Sequence, residues 1–584
     1  MLQIQNSGQC NHGVILKMST VLPIISEKPS PVAPDGDLIE RLLAEQQSLT
    51  AVESFSKSHD SDASTTPAQS RYYTKLLPAT PPGPGQQYSF QVDLDQCSGC
   101  KACVVACHTM NGLEEDESWR RVGTLTIGEP AEAARIQHVT TACHHCEDPG
   151  CLNGCPVKAY DKDPQTGIVR HLDDQCIGCK YCMMMCPYEV PKYSDRLGVV
   201  RKCDMCHQRL SQGEAPACVQ SCPNEAIAIS VVNIGESIDP ESKLAAGAPL
   251  SSLTKPTTVF QSNDVDIVSG ATPQDDQVDE VAESHWPLAI MLVATQASVG
   301  ILLAERFAVA ITMMVGTDVS ELAPRFSATV ALLIAGVGMA IAPLHLGQPL
   351  RAWRVFLGLR TSWLSREAVV LGKYMGLLCA AVGLLWLPVL GDAVPASVSQ
   401  LIPDWAASAT LGMTIIVGIV GLVCSAMIYV ATQRRLWRVS RTFTRFIGSA
   451  VVAGSAWTVV TMCFSGASMV VTTSYVFATI AALVAKLAWE QKIQTASLAG
   501  FDEFDIRSAR MFTGALESTA DFRRDFAMAG IGLLGVAWLV AFSAPTVAAG
   551  IAALAATAIC GGEFVERVLY FQSVVYDRMP GTLT

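Results

Sequence analysis

Sixteen of the 21 cysteines lie between residues 97 and 222, where they form four motifs of four. In chain order, the motifs are Cys97, Cys100, Cys103 and Cys107; Cys143, Cys146, Cys151 and Cys155; Cys176, Cys179, Cys182 and Cys186; and Cys203, Cys206, Cys218 and Cys222. Three cysteines separated by two residues can wrap one loop around three iron corners of a cubane, while the fourth ligand comes from elsewhere. Gly99 and Gly178 suit such a tight loop. The spacing therefore predicts four 4Fe-4S clusters.

Zinc and disulfides are the alternative uses of these cysteines. A zinc site needs two ligand pairs arranged as a tetrahedron, and three cysteines at two-residue spacing crowd together in a way that suits a cluster better. A secreted disulfide scaffold would be short and follow a signal peptide. The first residues, MLQIQNSGQCNHGVILK, contain neither an apolar signal core nor a twin-arginine motif. Iron–sulphur ligation is thus the favoured interpretation.

Composition and charge divide the chain into an acidic front and a membrane-like back. Of the 584 residues, 50% are hydrophobic, which is high for a soluble protein of this size. Residues 286–584 carry 20 Lys and Arg against 16 Asp and Glu, while residues 1–285 carry 21 against 37. Since phosphate binding needs basic patches, the acidic front argues against nucleic acid as a partner.

Eight apolar runs follow Trp286, each near the length of about 20 residues that crosses a bilayer. The expected spans are 286–312, 327–345, 367–391, 405–431, 446–466, 468–488, 525–543 and 546–570. Glu305 and Arg306 either end the first helix or form a satisfied pair that faces the bundle. Arginines concentrate in the loops on the side of the cysteine motifs, so the positive-inside rule predicts a cytoplasmic cluster domain on the inner membrane. Arginines that dock the cluster domain or a quinol would give the same bias for another reason.

The sequence therefore predicts an α+β, ferredoxin-like four-cluster domain followed by an all-α bundle of eight transmembrane helices. Residues 1–88 are expected to form an extension and linker with one amphipathic helix, Asp37–His59. The cluster domain is expected over 89–232, a polar connector that could wrap around it over 233–284, and the membrane anchor over 285–584.

Residues 89–232 resemble the iron–sulphur electron-transfer subunit of DMSO reductase-type molybdopterin enzymes. The resemblance lies in CSGCKACVVACH, HHCEDPGCLNGCPVKAY, CIGCKYCMMMCPYEVPKY and RKCDMC…ACVQSCP. It implies that the first motif pairs with the fourth and the second with the third. The implied ligand sets are Cys97, Cys100, Cys103 and Cys222; Cys203, Cys206, Cys218 and Cys107; Cys143, Cys146, Cys151 and Cys186; and Cys176, Cys179, Cys182 and Cys155. It also implies that the clusters of the first and fourth motifs face a catalytic subunit, and that the clusters of the second and third motifs face the membrane.

The membrane half resembles the anchor subunit of the same family, on the weaker stretches HLGQPLRA, LSREA and GEFVER. In that family the corresponding histidine and glutamate are associated with menaquinol, so His345, Glu367 and Arg351 are the candidate quinol residues. The residue chemistry agrees, because a histidine and a carboxylate near the interface can accept the two protons that a quinol loses. The alternative is that His345 and Glu367 only cap or pair helix ends.

Other polar residues carry weaker expectations. His345 is the only histidine after residue 285, and a bis-histidine haem needs two, so no haem is expected. The histidines beside the cysteines, His108, His144, His145 and His207, could tune cluster potential by hydrogen bonding, but exposed polar side chains are the favoured interpretation. Little charge is expected inside the bundle: Lys373 and Lys486 would extend to the interface, and no dedicated proton channel is predicted.

The resulting hypothesis is an electron-transfer and membrane-anchor subunit without a terminal substrate site of its own. Menaquinol would be oxidised in the membrane, and four clusters would carry electrons to a molybdopterin-containing catalytic subunit that reduces an acceptor such as DMSO. Two alternatives stay open. A donor-oxidising partner could drive the reverse flow to quinone, or the chain could be a membrane transport module with sensory clusters.

Overall fold

The computed structural model describes residues 73–128, 134–263, 267–276, 278–316, 320, 322–390, 402–403, 405–494 and 502–581. The predicted helix over 37–59 lies outside these residues. Residues 71–584 form one compact unit that contains both the cysteine-rich part and the helical part.

The cysteine-rich part is built on small, mostly antiparallel sheets. Its strands are β1 (Gln86–Asp93), β2 (Arg121–Ile127), β3 (Arg135–Thr141), β4 (Tyr160–Lys162), β5 (Val169–His171), β6 (Lys192–Ser194), β7 (Val199–Arg201), β8 (Ile227–Asn233), β9 (Val259–Gln261) and β10 (Ala271–Pro273). β1 pairs antiparallel with β8 and parallel with β9, β2 lies between β10 and β3, and two hairpins join β4 to β5 and β6 to β7. Burial alternates along much of β1, so one face of that strand packs on the core.

Short helices begin inside or just after the cysteine loops. They are α1 (Ala102–Asn111), α2 (Gly150–Gly154), α3 (Tyr181–Met185), α4 (His207–Ser211) and α5 (Ala217–Gln220). Gly178 has φ +68°, and a Cβ there would collide with the backbone of Gly198 and Gly347. Glycine is therefore required at this position both for its backbone conformation and for the close approach of two other segments.

The connector over 233–284 is folded onto the cluster domain in the part that the structure describes. It supplies β9 and β10 to the two main sheets. Ala245, Ala246 and Ile267 are buried in the same core as Val92 and Leu125. The described part of the connector therefore packs against the cluster domain.

The eight expected membrane helices are present, and together they make a multi-pass bundle. Eight described helices are long and apolar enough to cross a membrane. They are α6 (Trp286–Val315), α7 (Leu322–Ile341), α8 (Trp363–Leu390), α9 (Trp405–Val430), α10 (Val439–Ser465), α11 (Met469–Gln494), α13 (Glu517–Ala541) and α14 (Pro545–Gln572), with the short amphipathic α12 (Glu503–Phe512) between α11 and α13. The predicted fold class is therefore confirmed.

Several helix ends differ from the apolar runs. α10 begins seven residues before the predicted 446 and α13 eight before the predicted 525. Their first turns carry charges, such as Arg441 and Arg523, that are paired with carboxylates of other segments. Hydropathy alone excludes such turns, because the partner that satisfies the charge is distant in sequence. Glu305 and Arg306 form the expected ion pair within a continuous α6, with Glu305 buried.

Small residues let the central helices approach closely. A Cβ on Gly300 of α6 would collide with the backbone of Ala450 and Gly454 on α10. In lipid, where apolar surface gives little drive for association, such close backbone packing is a main source of helix–helix affinity.

After α14 the chain returns to the cluster domain. The Tyr576 hydroxyl donates to the Glu189 carboxylate, Met579 is buried in the core of that domain, and Gly581 contacts Gly123. The two ends of the membrane region therefore lie on the same side of the bundle, as an even number of spans requires.

Candidate electron-transfer and quinol sites

The structure gathers the sixteen cysteines into four groups of four. Three groups line separate cavities: Cys97, Cys100, Cys103 and Cys222; Cys143, Cys146, Cys151 and Cys186; and Cys155, Cys176, Cys179 and Cys182. The fourth group is Cys107, Cys203, Cys206 and Cys218, in which Cys107 interacts with Cys206 and Cys218, and Cys203 with Cys107. These are the sets that the family resemblance implied.

The donor chemistry of the groups fits iron–sulphur clusters. Backbone N–H groups point at the sulphurs: Gly178 at Cys176 (3.3 Å), Ala159 at Cys155 (3.2 Å) and Ala226 at Cys222 (3.3 Å). Such bonds stabilise thiolates and tune cluster potential. In the described part of the chain, no three His, Cys, Asp or Glu side chains converge on one point as a single ion would require. A cubane instead spreads its four thiolates over four irons.

The histidines beside the second motif are not the exposed side chains that the sequence suggested. His144 and His145 are 2% and 0% exposed. The Nδ1 atoms of His144 and His145 lie 2.9 Å from Thr258 Oγ1 and 3.0 Å from the Val169 N–H, respectively. Burial and the charge of Arg120 lower the pKa of His144 to about 3, so its ring is neutral at pH 7. The hydrogen-bond partners of both histidines are distant in sequence, so the position of the histidines next to cysteines could not reveal that they are buried.

Two buried cations beside the cysteines were missed by sequence reasoning. Lys202 is 2% exposed and its ammonium donates to the carbonyl of Cys203 (2.7 Å) and faces Cys143 Sγ at 3.6 Å. The Arg120 guanidinium lies over the Phe90 ring and donates to Thr140 Oγ1, which in turn lies 3.5 Å from Cys103 Sγ. Buried cations are stable only when they are compensated, and clustered thiolates supply that compensation.

The group containing Cys176 sits directly on the membrane half. Ser362 Oγ and Ser365 Oγ donate to the carbonyls of Gly154 and Pro156 (2.7 and 3.2 Å). The Gln348 N–H donates to Ile177 O at 3.0 Å, and the Tyr181 hydroxyl donates to Ile428 O at 2.9 Å. In a different group, Cys100 is exposed, whereas every other motif cysteine is at least partly buried. One group therefore contacts the anchor, and another has a cysteine open to solvent.

His345 lies in the turn that follows α7 and faces the segment after Cys179. Its Nδ1–H donates to the carbonyl of Ala342. Because a carbonyl only accepts, this bond fixes the tautomer and leaves Nε2 free to take a proton. The charges of Lys180 and Glu283 both act on His345.

Glu367 lies in the first turns of α8 and interacts with Tyr181 of the same cysteine loop. It is 3% exposed and accepts from Ser425 Oγ at 2.5 Å. Burial and this carboxylate raise the pKa of Tyr181, which follows the cluster loop. Among the contacts of the described residues, none joins Glu367 to His345, so each approaches the Cys176 group separately.

Arg351 is placed differently from these two. Its Nη1 donates to the carbonyls of Asp173 and Cys176, at 3.1 and 3.2 Å. These bonds hold the cluster domain against the anchor, as Arg354 also does at the carbonyl of Asp174. A role for Arg351 toward a quinol stays a prediction.

A second histidine, His285, lies close to His345 and was overlooked because it directly precedes the first apolar run. It caps α6 with φ +44° and packs edge-on against Phe571. Its Nδ1 is 3.8 Å from Glu283 Oε2. Burial lowers the pKa of His285 to about 4; Glu283 opposes this shift, and Lys180, His345 and Arg434 reinforce it. The sequence signal that could have found it is a histidine at a predicted helix start.

The bundle also contains a buried ionic network in its cluster-side half. It joins α10, α11, α13 and α14, and consists of Arg445, Lys486, Glu490, Arg523, Glu563, Glu566 and Arg567. The Lys486 ammonium contacts Glu563, which also accepts from Arg523 at 2.8 Å. Lys486 is 6% exposed, so the prediction that it extends to the interface is wrong. The expectation of little buried charge fails here, because the ion partners come from helices distant in sequence.

Comparisons with known proteins match the two halves separately. Residues 134–232 match the family described as 4Fe-4S dicluster domain, and residues 281–572, half of the chain, match the DMSO reductase anchor subunit (DmsC). The B subunit of the anaerobic dimethyl sulfoxide reductase of Escherichia coli (strain K12) is 38% identical over 186 residues, which cover 30% of this chain and 89% of that protein.

Two further relatives have the same kind of iron–sulphur region. The probable anaerobic dimethyl sulfoxide reductase chain YnfG of Escherichia coli (strain K12) is 37% identical, over 30% of this chain and 89% of its own length. The iron-sulfur subunit of the nitrate-inducible formate dehydrogenase of the same strain is 34% identical, over 25% of this chain and 57% of its own length.

Proposed function

The chain belongs to the DMSO reductase family of iron–sulphur electron-transfer subunits and membrane anchors, both in one polypeptide, and we propose that it oxidises a membrane quinol and delivers the electrons to a separate catalytic subunit. The observation that carries the proposal is the position of the Cys176 group. It contacts the anchor directly, and its loop carries Lys180 and Tyr181, which interact with His345 and Glu367 respectively, while Cys100 of another group is exposed.

Four 4Fe-4S clusters are proposed, one for each cysteine group, with residues 89–232 and the folded connector as the domain that holds them. When bound, these clusters supply one-electron transfer through the domain. The chain's own residues hold the row in place: backbone N–H groups and buried cations stabilise the thiolates, and Ser362, Ser365 and Arg351 seat the membrane end. Because position 182 is a cysteine, the Cys176 group has four cysteine ligands, which supports a 4Fe-4S cluster in that group.

Menaquinol is the proposed electron donor, at a site in the anchor over residues 285–584. The free Nε2 of His345 can accept one proton and the Glu367 carboxylate can accept another. Either group lies beside the loop that carries Cys179, so proton acceptance and electron acceptance occur next to one another. No haem is proposed.

The proposed partner is a molybdopterin-containing subunit docked over the exposed Cys100 end. The relatives named as dimethyl sulfoxide reductase subunits support a terminal acceptor such as DMSO. We place the protein in the inner membrane with the cluster domain on the cytoplasmic side, on the strength of the arginines in the loops of that side. Reverse flow is the second candidate, supported by the likeness to a formate dehydrogenase subunit.

Two measurements test this function. Iron and sulphide analysis of the purified chain should find about sixteen of each, and values near eight would contradict the four-cluster row. In stopped-flow experiments, His345→Ala should slow cluster reduction by menaquinol on the order of a hundredfold. Reduction by dithionite, which needs no quinol site, should be unchanged. Unaltered quinol kinetics would remove His345 from the site.

A further inference from the structure

We propose that His285 and Glu283 form the exit for the proton that His345 accepts during quinol oxidation, leading from His345 to the water on the cluster side. This inference rests on the proposed function and extends it. The reaction removes two electrons and two protons from each quinol. The two electrons would leave one at a time through the cluster at the membrane face, the first moving on along the row before the second follows, and the proton that leaves the quinol hydroxyl for His345 must still reach bulk water.

The first step of the route is the passage from His345 to His285. Both rings are partly buried at the cluster-side end of the bundle, the charge of His345 acts on His285, and Lys180 and Glu283 act on both. His285 lies at the very start of α6 and packs on Phe571 of α14, so it is held at the boundary between the bundle and the cluster domain. An uncharged imidazole can take a proton at one nitrogen and release one from the other.

The second step leads from His285 to Glu283. The carboxylate lies 3.8 Å from His285 Nδ1, and its side chain is 52% exposed. It thus contacts a buried ring on one side and water on the other. Proton transfer over this distance needs one small side-chain movement or one bridging water.

Lys180 positions the carboxylate. Its ammonium donates to both oxygens of Glu283, at 2.7 and 2.9 Å, and lies over the ring of Tyr193 at 4.4 Å from the centroid. Lys180 directly follows Cys179, so the residue that orients the proton acceptor is part of the loop that holds the membrane-facing cluster. Proton exit and electron exit are therefore fixed by one backbone segment.

The charge balance around His285 favours outward release. Lys180 and Arg434 act on it as cations and Glu283 as an anion, together with His345 itself. A proton on His285 is repelled by the two cations and attracted by the carboxylate, which is the group nearest to water. The Arg434 guanidinium lies over the Tyr576 ring, 4.0 Å from its centroid, and none of the ion pairs among the described residues joins it to Glu283.

The test uses the full chain in its complex, reconstituted in nanodiscs, with cluster reduction by menaquinol followed by stopped flow. Glu283→Gln should slow the quinol-driven rate about tenfold at pH 6. The deficit should shrink as pH or buffer concentration rises, because buffer then takes the proton directly. Glu280→Gln, an exposed carboxylate three residues earlier on the same segment, is the matched control and should behave like the unaltered chain.

A second variant separates proton transfer from structure. His285→Gly keeps the positive φ of the cap and leaves space for a small base, so added imidazole should restore most of the lost rate. A Glu283→Gln chain with an unchanged rate and pH profile would overturn the exit. So would slowed variants that neither buffer nor imidazole rescues, since they would indicate a structural role.

The failure of the exit can be distinguished from the failure of the quinol site. If His345→Ala slows menaquinol oxidation while the Glu283 and His285 variants do not, the quinol site stands and the exit is wrong. If none of the three changes the rate, quinol oxidation at this face is itself contradicted.

Discussion

The cluster domain and the helical bundle both bury charged side chains, yet they balance them in different ways. In the cluster domain, Lys202 and Arg120 are buried beside cysteines and form no ion pair with a carboxylate among the described contacts. In the bundle, Lys486, Arg523 and Glu563 are buried together and neutralise one another. The cations of the first region are compensated only when the neighbouring sulphurs are ionised, so they serve a cofactor, whereas those of the second region serve the fold.

The membrane network also differs from the proposed quinol residues. Among the contacts of the described residues, Glu367 accepts one hydrogen bond, from Ser425, and His345 uses only its Nδ1. Glu563 instead contacts Lys486, Arg523 and Ser449. A carboxylate that is held by two cations stays ionised and is poorly suited to take up a proton, whereas a sparsely bonded one can change its protonation state.

The largest effect is expected from breaking the bundle network. Glu563→Ala leaves Lys486 and Arg523 buried with fewer partners, and removal of one member of a buried ion pair costs about 3–5 kcal/mol. We expect a marked loss of folded protein, measured by thermal or denaturant unfolding in detergent. Stability equal to that of the unaltered chain would contradict a structural role for the network.

A smaller effect is expected from Lys202→Met in the cluster domain. A reduced cluster carries one more negative charge than an oxidised one, so loss of the nearby cation should lower its reduction potential. If the interaction between Lys202 and the cluster is worth about 1.4 kcal/mol, the reduction potential should fall by about 59 mV for one electron. Potentiometric titration followed by EPR measures this shift, and an unchanged or raised potential would disprove that Lys202 compensates the cluster.

The smallest effect is expected at the exposed pair of Asp521 and Arg524, whose side chains are 48% and 57% exposed. Asp521→Asn should change the unfolding free energy by about 0–1 kcal/mol, since water and salt screen such pairs. The pair lies near the start of α13, the helix that also carries Arg523. A loss as large as that of Glu563→Ala would mean that burial does not explain the difference between the two sites.

Low pH offers a separate check on the buried histidine at the interface. The pKa of His285 is lowered to about 4, below the value of about 6.5 for a free histidine. The unfolded chain therefore binds this proton more readily, and stability should fall as pH decreases from about 6.5 toward 4. His285→Asn, which tolerates the same backbone conformation, should weaken that part of the pH dependence in unfolding experiments.

Local sequence was sufficient for the features whose cause is local. Cys97, Cys100 and Cys103 lie on one loop, so their two-residue spacing predicts a cluster without knowledge of the rest of the fold. The eight apolar runs likewise predict eight helices, because each helix satisfies its own backbone within the bilayer. The ion pair of Glu305 and Arg306 could also be anticipated from the sequence, because the two residues are adjacent in the chain.

Only the tertiary structure decided which of the other polar residues matter. Lys486 and Glu563 are 77 positions apart, and His285 and His345 are 60 apart; no periodicity predicts that such side chains meet. Their electrostatic state depends on burial and on partners from other segments, both of which arise when helices and loops pack. The sequence by itself therefore predicted the cysteine ligands and the membrane helices, while the packing decided which cysteine group meets the anchor and which polar side chains lie beside it.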